Sequence, residues 1–181
     1  MIRKKHSLMF LTRRAALALP FSALAHAATR SNLNVSMRLS FVGLGPARIG
    51  MSEAQIRRTV GGPFQREGDN EEGCYYLTPQ ANGLGFMILE SRLARIDVFE
   101  GEWRTVSGAG IGSTEEQVRR LYGRGLHIEP HHYNDEGKYL IVLPAAGPYR
   151  GYQLLFETDG KVVTTFRAET VEAVTLVEGC S

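Results

Sequence analysis

One stretch of this chain occurs twice. Ile49-Gly50-Met51-Ser52-Glu53-Ala54-Gln55-Ile56-Arg57-Arg58-Thr59-Val60-Gly61 returns sixty-two residues later as Ile111-Gly112-Ser113-Thr114-Glu115-Glu116-Gln117-Val118-Arg119-Arg120-Leu121-Tyr122-Gly123, without a gap. Self-similarity at such a spacing points to two copies of one supersecondary unit, stacked so that each buries apolar surface the other cannot cover alone.

The repeated residues spell a short helix. Ser52 and Thr114 are N-caps, and Gln55 and Gln117 three residues later complete a capping box. Glu53, Glu115 and Glu116 sit in the first turn and the Arg57-Arg58 and Arg119-Arg120 pairs nearer the end, each where the helix dipole favours its charge. Ile56 with Val60, and Val118 with Leu121 and Tyr122, form one apolar face, and Gly61-Gly62-Pro63 and Gly123 stop the helices. Residues 40–45 and 104–110 read as glycine-punctuated strands opening each copy. After each helix the period drops to two. Residues 74–78, 84–89 and 93–99 read as strands of the first copy, and residues 139–143, 152–157 and 161–167 as those of the second. Asn82-Gly83 and Thr158-Asp159-Gly160 are turns, and residues 174–177 a last strand. The expected fold is α+β: two tandem repeats, each a short helix plus an antiparallel meander, forming one largely antiparallel sheet with helices on one face. Its units are residues 28–103 and 104–181, in one compact domain.

Residues 1–27 read as a signal peptide. Arg3, Lys4, Lys5, Arg13 and Arg14 are basic with no acid among them, a short apolar run follows, and Ala25-His26-Ala27 is a small-x-small cleavage site. The Arg13-Arg14 pair fits twin-arginine export and general secretion alike. No cysteine stands at the cleavage point to carry a lipid anchor, and no later run is apolar enough to span a bilayer. The expectation is a periplasmic or secreted protein with no transmembrane segment. Without residues 1–27 the chain has 16 basic and 19 acidic residues, a net charge of −3 with His neutral, which leaves no electrostatic footprint for nucleic acid. Cys74 and Cys180 are the only cysteines. In an oxidising compartment such a pair reads as a disulfide, closing a loop of about a hundred residues for roughly 3–5 kcal/mol. A catalytic thiol would need a nearby His, and nothing local to Cys74 supplies one.

The pattern Gly-Met-Ser-x-x-Gln-Ile…Val-Gly-Gly-Pro at residues 50–63 resembles the helix opening shared by two extracytoplasmic families. One is the β-lactamase inhibitor protein, a tandem of two helix-plus-sheet units. The other is the small lipoprotein of the outer-membrane barrel-assembly machine, with one unit. The tandem arrangement is similar to the inhibitor, which implies a protein-binding role, inhibitor-like or envelope-assembly-like. This chain departs from both: Ser113 replaces Met in the second copy, and neither copy has its own cysteine pair. Glu178-Gly179-Cys180 also resembles the ending of a group of uncharacterised secreted bacterial proteins, which implies no function.

Few residues point to chemistry. Gly43-x-Gly45 and Gly108-x-Gly110-x-Gly112 lack the βαβ context and the Lys of a phosphate loop, and read as turn glycines. His127, His131 and His132 are the histidines after the signal. Their spacing would suit a metal on a helix, but Pro130 stands between them. No Gly-x-Ser-x-Gly elbow is present. Asp97, Glu100, Glu102, Asp135, Glu136 and Asp159 read as solvated turn and edge residues. Aromatic residues are the more suggestive group. Tyr75 and Tyr76 must point to opposite faces of a sheet, and Tyr and Trp on an open face are the usual anchors of a protein-binding surface. The segments around His131-His132-Tyr133 and Tyr149-Arg150 extend the second copy beyond the first, where function tends to be grafted. The sequence thus predicts a non-enzymatic binding module. Its candidate contacts to a protein partner are Tyr75, Tyr76, His131, His132, Tyr133, Tyr149 and Arg150, on the open sheet face and the second-copy loops, with no cofactor and no metal. The alternative is a periplasmic hydrolase using the His127/His131/His132 region, with a metal.

Overall fold

Short strands and tight turns make up most of the chain. The computed structural model describes residues 30–68, 73–80, 83–145 and 147–180. The signal at residues 1–27 and the turn residue Asn82 lie outside the described residues. In chain order the elements are β1 Arg38–Ser40, β2 Gly43–Leu44, β3 Ala47–Arg48, α1 Glu53–Val60, β4 Phe64–Glu67, β5 Tyr75–Pro79, β6 Leu84–Leu89, β7 Arg92–Val98, β8 Arg104–Thr105, α2 Glu115–Tyr122, β9 Leu126–Pro130, β10 Lys138–Val142, β11 Tyr152–Thr158 and β12 Val163–Thr170. Short 3-10 turns follow α2, at Gly123–Gly125, and β12, at Ala173–Thr175.

The strands form two sheets, one of four in the order β3-β2-β1-β8 and one of eight in the order β4-β5-β6-β7-β12-β11-β10-β9. This overturns the expected α+β architecture. Among the described residues the protein is mostly β, with two eight-residue helices, and it is not a pair of helix-plus-meander repeats forming one sheet. The difference lies in the segments expected to open each copy. β1 pairs in parallel with β8, Arg38 beside Arg104 and Leu39 beside Thr105, and so founds a second sheet. Strands of two or three residues are too short to show a period, and a pairing across that sequence distance leaves no local signal. The expected last strand at residues 174–177 is instead the 3-10 turn and its exit. Two further strands, β4 and β9, form the edges of the larger sheet.

Both helices start where the caps place them. The Ser52 and Thr114 hydroxyls accept from the Gln55 and Gln117 backbone N–H groups, and the glutamine side chains accept from the cap N–H groups, at 2.8 Å in each case. Each helix buries little: Ile56 and Val60 from α1, Val118 from α2. These pack with Leu39, Leu44 and Ala47 of the smaller sheet onto one face of the larger sheet, against side chains such as Phe86, Ile96, Phe156 and Phe166. That face is the inner one. The disulfide Cys74–Cys180 is present, joining residues 106 apart. It belongs to a second, smaller cluster with Met87, Ala94 and Ala173, on the outer face. Among the described residues no helix is long and apolar enough to cross a membrane.

Candidate functional site

The outer face carries charges where a sheet face would be expected to meet water. β7 and β12 are adjacent at the middle of the larger sheet, with Arg95 opposite Glu169 and Asp97 opposite Arg167. All four side chains are buried, at 0–5% exposure. The reading of Asp97 as a solvated residue is therefore wrong. It lies on the strand itself, at a period-two position facing outward, and its neighbours close over it. Within each strand the arginine binds the acid two residues on: Arg95 Nε donates to Asp97 Oδ2 at 2.9 Å and Arg167 Nε to Glu169 Oε2 at 3.0 Å. Gln153 from β11 donates to the other Glu169 oxygen at 2.8 Å. Arg95 also donates to the Tyr76 hydroxyl, which donates in turn to Asp97 at 3.2 Å. Arg167 continues the chain outward to Glu157, whose second oxygen lies 3.5 Å from His131 Nε2.

Burying unpaired charge is costly, so this network is stable only because it closes on itself. Among the described residues no buried side-chain nitrogen or oxygen lacks a hydrogen bond. Burial pushes the Asp97 carboxyl up, against the opposing pull of Arg95 and Arg167. Burial, then the Asp97 charge, pushes the Tyr76 phenol well up, so it stays a neutral donor at physiological pH. Above this floor opens a cleft of about 400 Å³. Its walls include Glu67, Phe99, Glu157 and Glu178. A larger hollow of about 540 Å³ lies over Gly108 and Gly112 at the start of α2, with Arg104 and Arg120 on its walls, but it gathers no comparable buried network.

The predicted contact residues divide among four places. Tyr76 is in the cleft. His131, His132 and Tyr133 are in the loop between β9 and β10, at the side of the same face. His131 stacks on Tyr139 with ring centroids 4.5 Å apart, and His132 stands edge-on to Tyr139 at 5.3 Å. Tyr133 is 68% exposed and donates its hydroxyl hydrogen to Glu178. Tyr75 points the other way, as the pleat requires. It is buried on the inner face, where its hydroxyl donates to Glu53 at 2.8 Å and the Arg66 guanidinium lies 3.5 Å from its ring centre. Tyr149 and Arg150 are exposed in the loop before β11, away from the cleft. There Tyr149 stacks on Phe41 beside an apolar hollow of about 260 Å³. His127 is exposed on β9, and among the described residues no group of three His, Cys, Asp or Glu side chains is arranged to hold a metal ion.

No family model matches the chain, and no curated protein does. Among solved structures it is similar to the uncharacterized protein YfeY from Escherichia coli, with a TM-score of 0.42 and 15% identity, over 73% of this chain and 99% of that one. So loose a likeness bears on neither the cleft nor its contents.

Arg95, Asp97, Gln153, Glu157, Arg167 and Glu169 were not singled out by the sequence reading as a site. Their signal was nonetheless there. Arg95-Ile96-Asp97 and Arg167-Ala168-Glu169 each place a base and an acid on one face of an apolar strand. A like pattern on two strands is what a cross-strand charge quartet needs.

Proposed function

We propose that this chain is an exported, non-enzymatic binding protein that takes a cationic segment of a protein partner into the outer-face cleft. The observation that carries this reading is the charge count. Five carboxylates, those of Glu67, Asp97, Glu157, Glu169 and Glu178, share the cleft and its floor with two guanidiniums, those of Arg95 and Arg167. The arginines satisfy the floor, and the surplus negative charge faces the opening. Phe99, 52% exposed at the rim, adds a ring face for an alkylammonium or guanidinium. Complementary charge of this kind steers association and selects partners. An inhibitor-like or assembly-like role, as implied by the resemblance at residues 50–63, fits such a surface.

The hydrolase alternative has less to stand on. His131 accepts the Tyr133 backbone N–H at Nδ1, 3.1 Å away, so its neutral form carries its proton on Nε2, facing Glu157. Its Nδ1 is thus already engaged as an acceptor and is not free to take a proton from a nucleophile.

The test is binding of a short lysine-rich peptide, compared with a glutamate-rich peptide of equal length, by fluorescence anisotropy. The lysine peptide is expected to bind, more weakly at high salt, and about tenfold more weakly to Glu67→Lys or Phe99→Ala. Equal binding of both peptides, or of neither, would overturn the reading.

A further inference from the structure

The last ten described residues lie across the outer face and supply part of the cleft wall, through Val177 and Glu178. Their attachment is unlike that of any strand. Val171 N–H still bonds to the Gly151 carbonyl, but from Glu172 to Cys180 the only backbone-to-backbone hydrogen bonds among the described residues run within its own turns, Leu176 to Ala173 and Gly179 to Leu176, each at 3.1 Å, while the Ala173 N–H donates to the Thr170 hydroxyl of β12 at 3.4 Å. What holds the segment to the sheet is a short set of contacts. Arg95 Nη1 donates to the Leu176 carbonyl at 2.8 Å, Tyr133 donates to Glu178, and Gly179 lies against the Tyr76 ring. Ala173 and Leu176 cover Met87 and Ala94. The disulfide closes the far end. No residue of the segment belongs to the main core, so its release costs the fold none of its principal packing.

We propose that residues 171–180 form a redox-releasable lid over the outer-face cleft, latched by the Cys74–Cys180 bond. The proposal concerns regulation of the cleft in which the binding function was placed and rests on that reading for its biological meaning. Segments with few hydrogen bonds to the sheet and no place in the main core are among the least stable parts of a domain, and here the latch is the covalent tie between this segment and the sheet. The co-reactant is a dithiol reductant of the thioredoxin-like class. Its thiolate attacks the sulfur of Cys180, the less buried of the two residues at 8% exposure against none for Cys74. The Cys74–Cys180 bond breaks, and Cys74 leaves as a thiolate and takes up a proton. The second sulfur of the reductant then displaces the Cys180 sulfur, which is also protonated. Two electrons have passed to the protein, and the reductant has become a disulfide. Release uncovers Met87, frees Arg95 Nη1 from the Leu176 carbonyl and withdraws Glu178 from the cleft wall. The rest of the larger sheet, from β4 through β12, is unchanged.

Two measurements on the protein test this, each made before and after reduction by a dithiol and repeated on Cys74→Ser with Cys180→Ser. Hydroxyl-radical oxidation of Met87 and amide exchange across residues 171–180 are expected to rise tenfold or more, with exchange at Phe156 and Phe166 unchanged. If Met87 and the segment stay protected, there is no lid. If protection is lost across the whole sheet, the disulfide holds the fold and the lid is refuted as well. Should the double variant fail to fold, the reduced native protein still decides between these outcomes. A third arm separates the lid from the binding reading. Reduction is expected to change the association rate of the lysine peptide about tenfold, and an unchanged rate over an opened segment would refute the gating. An opened segment with no peptide bound in either state would sink the cationic-partner reading and leave the lid standing.

Discussion

Glu169 is the residue on which the outer face turns. It is fully buried and receives Gln153, Arg167 and, at 3.9 Å, Arg95. Truncation would leave two buried guanidiniums short of a partner. Glu169→Ala is therefore expected to cost about 3–5 kcal/mol in urea unfolding, far more than removal of an exposed acid. A loss under about 1 kcal/mol would mean that water already enters the network. Glu53 behaves differently because it is half-exposed. Burial pushes its carboxyl up, but the Tyr75 hydroxyl, Arg57 and Arg66 outweigh burial and hold it below the usual carboxylate range. A depressed carboxylate stabilises the fold fully above its unfolded pKa, about 4.3, and the contribution is lost as pH falls through the lowered folded value. The stability gap between the native protein and Glu53→Gln should thus be constant from neutral pH down to about pH 5 and close in more acidic solution. Its size should be about 1 kcal/mol or less, since the ion pairs are at the surface. A gap that widened with acid would contradict the assigned partners. These roles were only half legible. Residue type and strand alternation place Arg95 and Asp97 on one face, but only the fold brings Tyr76 and Leu176 onto that face.

At the scale of elements, the β7–β12 pair carries its register in its charges. With Arg95 opposite Glu169 and Asp97 opposite Arg167, a slip of two residues in either direction brings Arg to Arg or Asp to Glu, and like charges across a ladder are destabilising. A one-residue slip would turn the apolar residues outward. The test is an exchange. Arg95→Asp with Asp97→Arg should destabilise by several kcal/mol, on the order of a broken buried pair, and adding Arg167→Glu with Glu169→Arg should restore most of the loss. If the fourfold variant is no better than the twofold one, the charges do not set the register. The helices are governed locally. Ser52→Ala and Thr114→Ala should each cost about 1 kcal/mol, measured by thermal unfolding, because each removes the acceptor of a capping box that is intact in the fold. Gly43 is equally local in cause. At φ +153°, with the Ala47 carbonyl in the space a side chain would need, only glycine fits at the start of β2, where it pairs with β3.

For the whole molecule, the smaller sheet is bound to the larger through a shared core, with hydrogen bonds to β7 and β12 made by the segments that follow β3 and β8. Leu39, fully buried in β1, belongs to the same cluster as Phe86 and Phe156. Leu39→Ala should lower the stability of the entire domain by about 2–5 kcal/mol, with Trp103 fluorescence and far-UV circular dichroism reporting one coincident transition. Separate transitions would show that the two sheets fold independently. The sequence by itself determined the two helices and their caps, the central strands, and the opposite facing of Tyr75 and Tyr76. Caps, turns and pleat act over four residues or fewer, so they leave their mark in the order of residues. Only the tertiary structure decided that residues 38–40 and 104–105 found a second sheet, that residues 171–180 fold over the outer face, and that two Arg-x-acid pairs separated by 72 residues meet as one closed network. Each of these depends on which distant segments come to lie side by side, and that choice is made by the burial of the assembled core rather than by any local run of residues.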